Sequence, residues 1–385
     1  MASLIQSVDN YWQTPAITEY HSFLQLKHHQ WQPAGYVYVA FPWATLIDLL
    51  QTGRQIPETL AQGFEDTIQQ CRLARQHNTL LTVCQHIYAQ RFSPLFKACH
   101  VQIVYWSHAT FQDTFHDGLE WRPHPLYPVQ RYSSSRDGSL KALEKRNHLA
   151  SFIGAFDAKY YLSNIREAIF KLATHGGVTN LLIQRRDNWH FQDEVYSQQI
   201  YGLEPEEAKR KLRELHARQY REALMESIYS LCPSGSGPNS IRLWESLTYG
   251  SIPFVFADNL ALPGEPQLWL EACVFMSEAA THLEIAEEIT RQGQEKSSEF
   301  KTRQAAGRIL ESRYGIHVFV WDLLQLENNR TLTIQALEPK RLSQAKRQAI
   351  QTKILIVDPG LKSIGSHHHK INSQLASALG HDQIR

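Results

Sequence analysis

The sequence predicts an α/β fold of two Rossmann-like domains, and three observations carry that prediction. Strand-length runs of apolar, β-branched and aromatic residues alternate with helical patterns along most of the chain. At about 100–200 residues per domain, 385 residues accommodate two domains and part of a third. A break at 130–147, holding serines, Gly138 and a charged patch, separates two such alternating sets.

Taken in order, 34–42 (AGYVYVAFP) reads as a buried strand. Residues 57–78 read as a helix, because Leu60, Phe64, Ile68 and Leu73 recur near helical spacing. Two more strands follow at 79–84 (TLLTVC) and 101–106 (VQIVYW). Strands alternating with helices predict a parallel sheet. Beyond the break, 150–155 (ASFIGA) is a strand, and 162–173 a helix that Ser163 or Asn164 would cap. Residues 205–230 form a long charged helix, acidic at its start and basic later, which complements the helix dipole. Its charge run reads as a solvated face. Then come a strand at 228–233, a glycine loop at 234–239, a helix at 241–249 stopped by Gly250, and a strand at 251–257. Residues 278–313 are expected to be helical, with a last helix over 318–326. The tail reads as the opening βα unit of another Rossmann domain, with a strand at 353–358 and a helix at 369–379. The expected domains are 1–147 and 148–330, followed by 331–385 as a linker and the start of a further domain.

A net charge of +1 argues against a nucleic-acid partner. No apolar run approaches the ~20 residues of a spanning helix, and residues 1–10 show no signal-peptide pattern. Five cysteines, odd in number and without metal-ligand spacing, predict free thiols in a reducing compartment. The cluster His367–His369 lacks nearby cysteine or carboxylate partners, so no metal site is expected.

The chemistry concentrates at 231–253 (LCPSGSGPNSIRLWESLTYGSIP). A strand leads to a loop with Gly235 and Gly237. Glycine lets backbone approach a ligand closely and tolerates positive φ. Asn239 or Ser240 then caps a helix whose first N–H groups suit an anion. Arg242, in the first turn, adds a charge-assisted contact to phosphate. Glu245, three residues on, shares its face and could take both ribose hydroxyls. Together these parts make a nucleotide-diphosphate cradle. A plain reading stays open, in which Arg242 and Glu245 pair on a surface.

The run 231–263 resembles the signature of the exostosin glycosyltransferase family: Ser240, Arg242, Glu245, Gly250, Ile252, Pro253, Asp258 and Pro263 fall where its S-x-R-x-x-E helix, G-x-I-P segment and acidic turn require. Residues 152–166 resemble the segment that opens the family's donor domain. The stretches 82–86 (TVCQH) and 105–108 (YWSH) resemble strand ends of bacterial members. The resemblance implies a GT-B fold, two Rossmann-like domains facing across a cleft, with final helices that cross back to the first. It implies an inverting transfer from a nucleotide sugar to an oligo- or polysaccharide acceptor, without a bound divalent metal. Arg166, Arg242 and the Ser240 helix start are the candidates for stabilising the diphosphate, and Glu245 for the ribose. With no anchor legible, a cytoplasmic bacterial enzyme of polysaccharide biosynthesis is expected, with further transferase domains as potential partners.

The general base should project from the first domain at strand ends. His86 and His108 both follow strand-like runs, and histidine titrates near neutrality. The chain holds 19 histidines, so position rather than residue type selects these two. Asp117, Glu120 and Asp157 are acidic alternatives. Trp121, His124 and Tyr127 lie in WRPHPLYP, which suits sugar stacking or, on its proline density, a rigid connector. Arg185 and Arg186 follow a strand and either reach the cleft or are solvated. Two other functions stay in view: a non-catalytic glycan-binding or scaffolding module, and another GT-B user of phosphate such as a phosphorylase or epimerase.

Overall fold

The structure, a computed structural model, describes residues 3–326 except 176, 188–192, 205–206 and 296. The βα pattern at 353–379 and the expected third domain lie outside the described residues.

Among the described residues the first sheet comprises β1 (Leu4–Gln6), β2 (Tyr36–Ala40), β3 (Thr79–Cys84), β4 (Ile103–Trp106), β5 (Phe115–His116) and β6 (Leu119–Pro123). Their order is β1-β2-β3-β4-β6-β5. Every neighbouring pair is parallel except the β5–β6 hairpin. Helices α1 (Thr18–His28), α2 (Trp43–Gln51), α3 (Glu58–Ala74) and α4 (Ser93–Ala98) cover it. Both faces are buried, which is why its strands read as continuous apolar runs rather than alternating ones. Val37 and Val39 of β2 pack with Trp43, Leu60 and Phe96. Tyr38 and Ala40, pointing the other way, pack with Phe23 and Leu26.

After the short α5 (Ser134–Asp137), the second sheet is made of β7 (His148–Ala155), β8 (Leu181–Arg186), β9 (Ser227–Pro233), β10 (Ile252–Phe256) and β11 (Val274–Met276). Its order is β11-β10-β9-β7-β8, all parallel. The helices are α6 (Ile165–His175), α7 (Glu207–Glu226), α8 (Ile241–Thr248), α9 (Pro266–Ala272), α10 (His282–Gly293), α11 (Ser297–Tyr314) and α12 (Trp321–Leu324). The chain leaves β7 for β8 on one side and returns to β9 on the other. That reversal opens a crevice at the carboxyl ends of β7 and β9, where open α/β sheets bind ligands.

The carboxyl ends of the two sheets face each other. A bridge joins Thr110, beyond β4, to Leu260, beyond β10. The Asn239 amide, beyond β9, donates to the Ser107 carbonyl at 2.6 Å. Two Rossmann-like halves meeting at their strand ends make a GT-B architecture. Phe319, Val320 and Leu323 pack on Phe23, Leu26 and Trp31, so the last described helix lies against the first half.

The helical stretch expected at 278–313 consists of two helices: α10 starts at a capping box in which Thr281 and Glu284 bond each other's backbone N–H, and it ends at Gly293. The break at 130–147 is a packed connector. Buried Arg146 donates to the carbonyls of Ser227 (2.8 Å), Leu224 (3.3 Å) and Tyr249, fastening it to the ends of α7 and α8. All five cysteines are buried and free. No described helix is long and apolar enough to cross a membrane.

Removing Arg146 leaves three carbonyls short of a donor in a buried place. Arg146→Ala is therefore expected to cost about 2–4 kcal/mol, read from the urea midpoint. A loss below about 1 kcal/mol would show that water replaces the guanidinium there.

Candidate functional site

Three loops build the site. In the register of β3 against β4, Cys84 lies beside Trp106. His86 and His108 each stand two residues beyond those strand ends and emerge side by side. The loop after β9 reaches them from the other half. A Cβ on Gly237 would lie 2.4 Å from Nδ1 of His108 and 2.9 Å from Ile87. Glycine is needed there because the loop backbone lies directly against the imidazole. Neither Gly235 nor Gly237 has positive φ, so close approach, not left-handed backbone, is what Gly237 supplies. Gly235 closes the loop on itself, its N–H donating to the Gly237 carbonyl at 2.9 Å.

The two histidines differ. His86 is buried, and both ring nitrogens are engaged. Tyr88 N–H donates to Nδ1 (3.1 Å), so Nε2 carries the proton and donates to Asp48 (3.1 Å). This geometry holds the loop and leaves neither ring nitrogen free. His108 is equally buried, yet among the described residues it makes no hydrogen bond, and its Nδ1 is sealed without a partner. Burial, with a smaller contribution from His86, pulls its pKa down to about 3. The ring is therefore neutral at neutral pH, and a weak base.

Sequence reasoning missed the polar network beneath. Buried Glu19 accepts from the backbone N–H of Ala44 and Gln85, both at 3.1 Å. Burial pushes its pKa up to about 8. Gln13 links Asp48 to Gln85. A carboxylate in α1 gives no sequence signal of this role, since its partners come from distant segments.

Across the cleft, the arginines are placed by aromatic rings. The Arg242 guanidinium lies 4.5 Å from the Phe152 centroid and 4.9 Å from that of Tyr220, and donates to the Ile153 carbonyl. Arg166 lies over Tyr161 at 4.3 Å and Phe152 at 5.6 Å, and donates to the carbonyls of Ser234 and Ala155, both at 2.9 Å. Burial, together with Arg242, lowers its pKa to about 10. Stacking and carbonyl contacts hold both guanidiniums still without neutralising them. Among the described residues neither has a carboxylate at ion-pair distance.

Ser240 occupies the N-cap of α8, and its side chain makes no capping bond among the described residues. Asn239, the alternative cap, instead bridges the Ser107 carbonyl and Trp244 Nε1 (2.9 Å). Glu245 is not on a surface with Arg242. It is buried and accepts from Gln130 N–H (2.7 Å) and the Tyr220 hydroxyl (2.6 Å), which locks the connector and α7 onto α8.

Two of the acidic alternatives lie apart from the crevice: Asp117 pairs with Lys97 in the β5–β6 turn, and Glu120 with Arg122. Asp157 is exposed on the loop that follows β7, at the carboxyl end of that strand. Trp121 is core. His124 is buried on Ser22 at 2.9 Å, and Tyr127 holds Thr18 and Arg131, so WRPHPLYP is a rigid connector.

Two measurements probe this contact. Gly237→Ala should cost about 1–3 kcal/mol by overpacking, and the cost should shrink in a His108→Ala background, where only the Ile87 contact at 2.9 Å remains; additive costs would place the clash elsewhere. The second is pH dependence. The His108 pKa lies below its unfolded value, so the stability it protects is present above about pH 6.5 and is lost as pH falls toward 3. The slope is at most about 1.4 kcal/mol per pH unit. Wild type should therefore lose stability relative to His108→Asn between pH 7 and 4, in paired urea melts. A constant difference would show that the imidazole is solvated.

The family model for the Exostosin GT47 domain matches residues 74–292, which spans β3, β4, the connector and most of the second half. Relatives include a probable glucuronosyltransferase, GUT1, of Oryza sativa subsp. japonica, 38% identical over 64 residues, 16% of this chain and 15% of that protein. Another is the probable β-1,4-xylosyltransferase IRX10 of Arabidopsis thaliana, 39% identical over 64 residues, 16% of each chain. The match thus spans about one-sixth of the length of these curated relatives. Among solved structures, α,α-trehalose 6-phosphate synthase from Burkholderia multivorans is similar, with a TM-score of 0.37 and 11% identity, covering 88% of this chain and 85% of that one. With a family match over more than half its length, this chain belongs to the exostosin GT47 glycosyltransferase family.

Proposed function

We propose that this chain transfers a glycosyl group from a nucleotide-activated sugar, held by the second half, to a hydroxyl of a glycan acceptor on the first. The observation that carries the reading is the pair Arg166 and Arg242. Two ordered guanidiniums without carboxylate partners stand at the crevice between β7 and β9, beside the uncapped start of α8. Fixed positive charge in a half-buried place is unfavourable until an anion joins it. A departing nucleoside diphosphate is such an anion.

The reaction would be an inverting displacement. The acceptor oxygen bonds to the anomeric carbon as the bond to the diphosphate oxygen breaks, and that electron pair leaves with the diphosphate. His108 is the base we favour, since its ring alone of the two has nitrogen not engaged by protein. His86 positions the loop. Glu245, expected on the ribose, holds Tyr220 against Arg242 and so keeps the guanidinium in place. We propose that the arginines supply the charge stabilisation without a divalent metal. The five reduced thiols support a cytoplasmic setting. The resemblance of the strand ends to bacterial members supports bacterial polysaccharide synthesis, and the βα pattern at 353–379 supports a further transferase domain as partner.

One observation favours a second reading, a module that binds nucleotide sugar or glycan without transfer: His108, the cleft imidazole left unengaged among the described residues, is a weak base. One set of assays separates the two. Calorimetry with UDP, GDP, CDP and CMP should show one nucleotide binding, with a loss of about 10–100-fold in Arg242→Ala and Arg166→Ala. Glucuronosyl and xylosyl donors are then offered with glycan acceptors, with and without EDTA. Transfer that survives EDTA and drops at least about 100-fold in His108→Ala supports catalysis. Binding without transfer supports the module. No binding by a folded protein would refute the donor site.

A further inference from the structure

Beyond the two predicted arginines, β8 ends in a third. Arg186 pairs in register with Ala155, whose carbonyl Arg166 holds, so it sits at the same carboxyl edge. Its neighbour Arg185 behaves as an ordinary surface arginine: exposed, over Phe170 and 3.5 Å from Glu167. Arg186 does not. It is half-buried and its Nε is sealed from solvent without a hydrogen-bond partner. Its Nη2 makes long contacts to neutral acceptors on α7, the His216 carbonyl (3.3 Å) and Gln219 Oε1 (3.2 Å). No carboxylate lies at ion-pair distance among the described residues. Burial and, next, the charge of Arg242 lower its pKa.

Three guanidiniums thus gather around one crevice, and the carboxylate of Glu245, one turn from Arg242, is occupied by Gln130 and Tyr220. A structural arginine is normally satisfied by the groups around it, as Arg146 is by four carbonyls, that of Lys141 accepting from its Nε. A guanidinium so weakly satisfied, beside another cation, favours an anion from outside the chain, which would meet the accessible part of the half-buried guanidinium and not its sealed Nε. We propose that Arg186 is a third anion-binding arginine of the donor site, contacting the diphosphate from the β8 side. The inference rests on the donor-site reading above. It makes the residue costly to the empty protein and favourable only when the ligand is bound, a trade of stability for function.

The test uses the full chain, Arg186→Gln and Arg186→Lys, with Arg242→Ala for reference. Calorimetry is run with the nucleoside diphosphate that wild type binds and with its monophosphate, alongside ligand-free melting curves. Arg186→Gln should weaken the diphosphate by about 10–100-fold and the monophosphate by less, while its ligand-free melting temperature stays level or rises. Arg186→Lys should recover part of the affinity. Undiminished diphosphate binding by Arg186→Gln, while Arg242→Ala loses it, would overturn the assignment and leave the donor site standing. A lowered ligand-free melting temperature in Arg186→Gln, with wild-type binding in Arg186→Lys, would make the residue structural and equally overturn it. Failure of wild type to bind any nucleotide would remove both readings.

Discussion

The side-chain amide of Asn239 is the fastening on which the site depends. Buried in the cleft, it donates to the Ser107 carbonyl of one half and accepts from Trp244 of the other. An amide is well suited to this, since it offers a donor and an acceptor on one rigid plane. With both engaged, the loop after β9 has one position. That position puts Gly237 against His108 and starts α8 where Arg242 meets Phe152 and Tyr220. The same two contacts therefore place the positive charge, while the bond to Ser107 joins the Thr110–Leu260 bridge in holding the halves together.

The arginines show how a folded domain keeps charge without neutralising it. A carboxylate partner would hold each guanidinium, but it would also occupy the groups a phosphate needs. Aromatic rings and backbone carbonyls fix orientation while leaving the net charge intact. Glu245 illustrates the separation. It lies one helical turn from Arg242, yet its oxygens are taken by Tyr220 and Gln130, and burial raises its pKa. It acts on Arg242 through the Tyr220 ring rather than by direct pairing.

Much of the fold was legible because the strands are buried on both faces. The runs at 79–84, 150–155, 228–233 and 251–257 needed no alternation to be recognised, and they appear as β3, β7, β9 and β10. Elements marked by weaker signals were not read: β1 and β11 are three residues each, and α9 lies behind a proline-rich turn. The glycine loop, the S-x-R-x-x-E helix and the stop at Gly250, with φ of 60°, were legible from local chemistry. What lies across from a residue was not. Spacing placed Glu245 beside Arg242 on one helix face, but its true partners stand more than 20 positions away, on the connector and on α7. The equivalence of His86 and His108 in sequence likewise hid their difference, since a Tyr88 amide and Asp48 engage one and a glycine seals the other.

That difference bears on how a weak base could serve. The imidazole of His108 is uncharged because its surroundings are apolar and closely packed, with Gly237 on the Nδ1 side. Basicity depressed by desolvation is recovered when negative charge arrives nearby, because the protonated ring then has an opposite charge to face. A nucleoside diphosphate on Arg166 and Arg242 would bring that charge to the loop that touches His108. If His108 is the base as proposed, the loop joining donor site and imidazole would be a route by which donor binding strengthens it, and proton transfer would then depend on the donor being present. Packing a glycine against the ring gives the shortest such route, and any side chain at 237 would lengthen it.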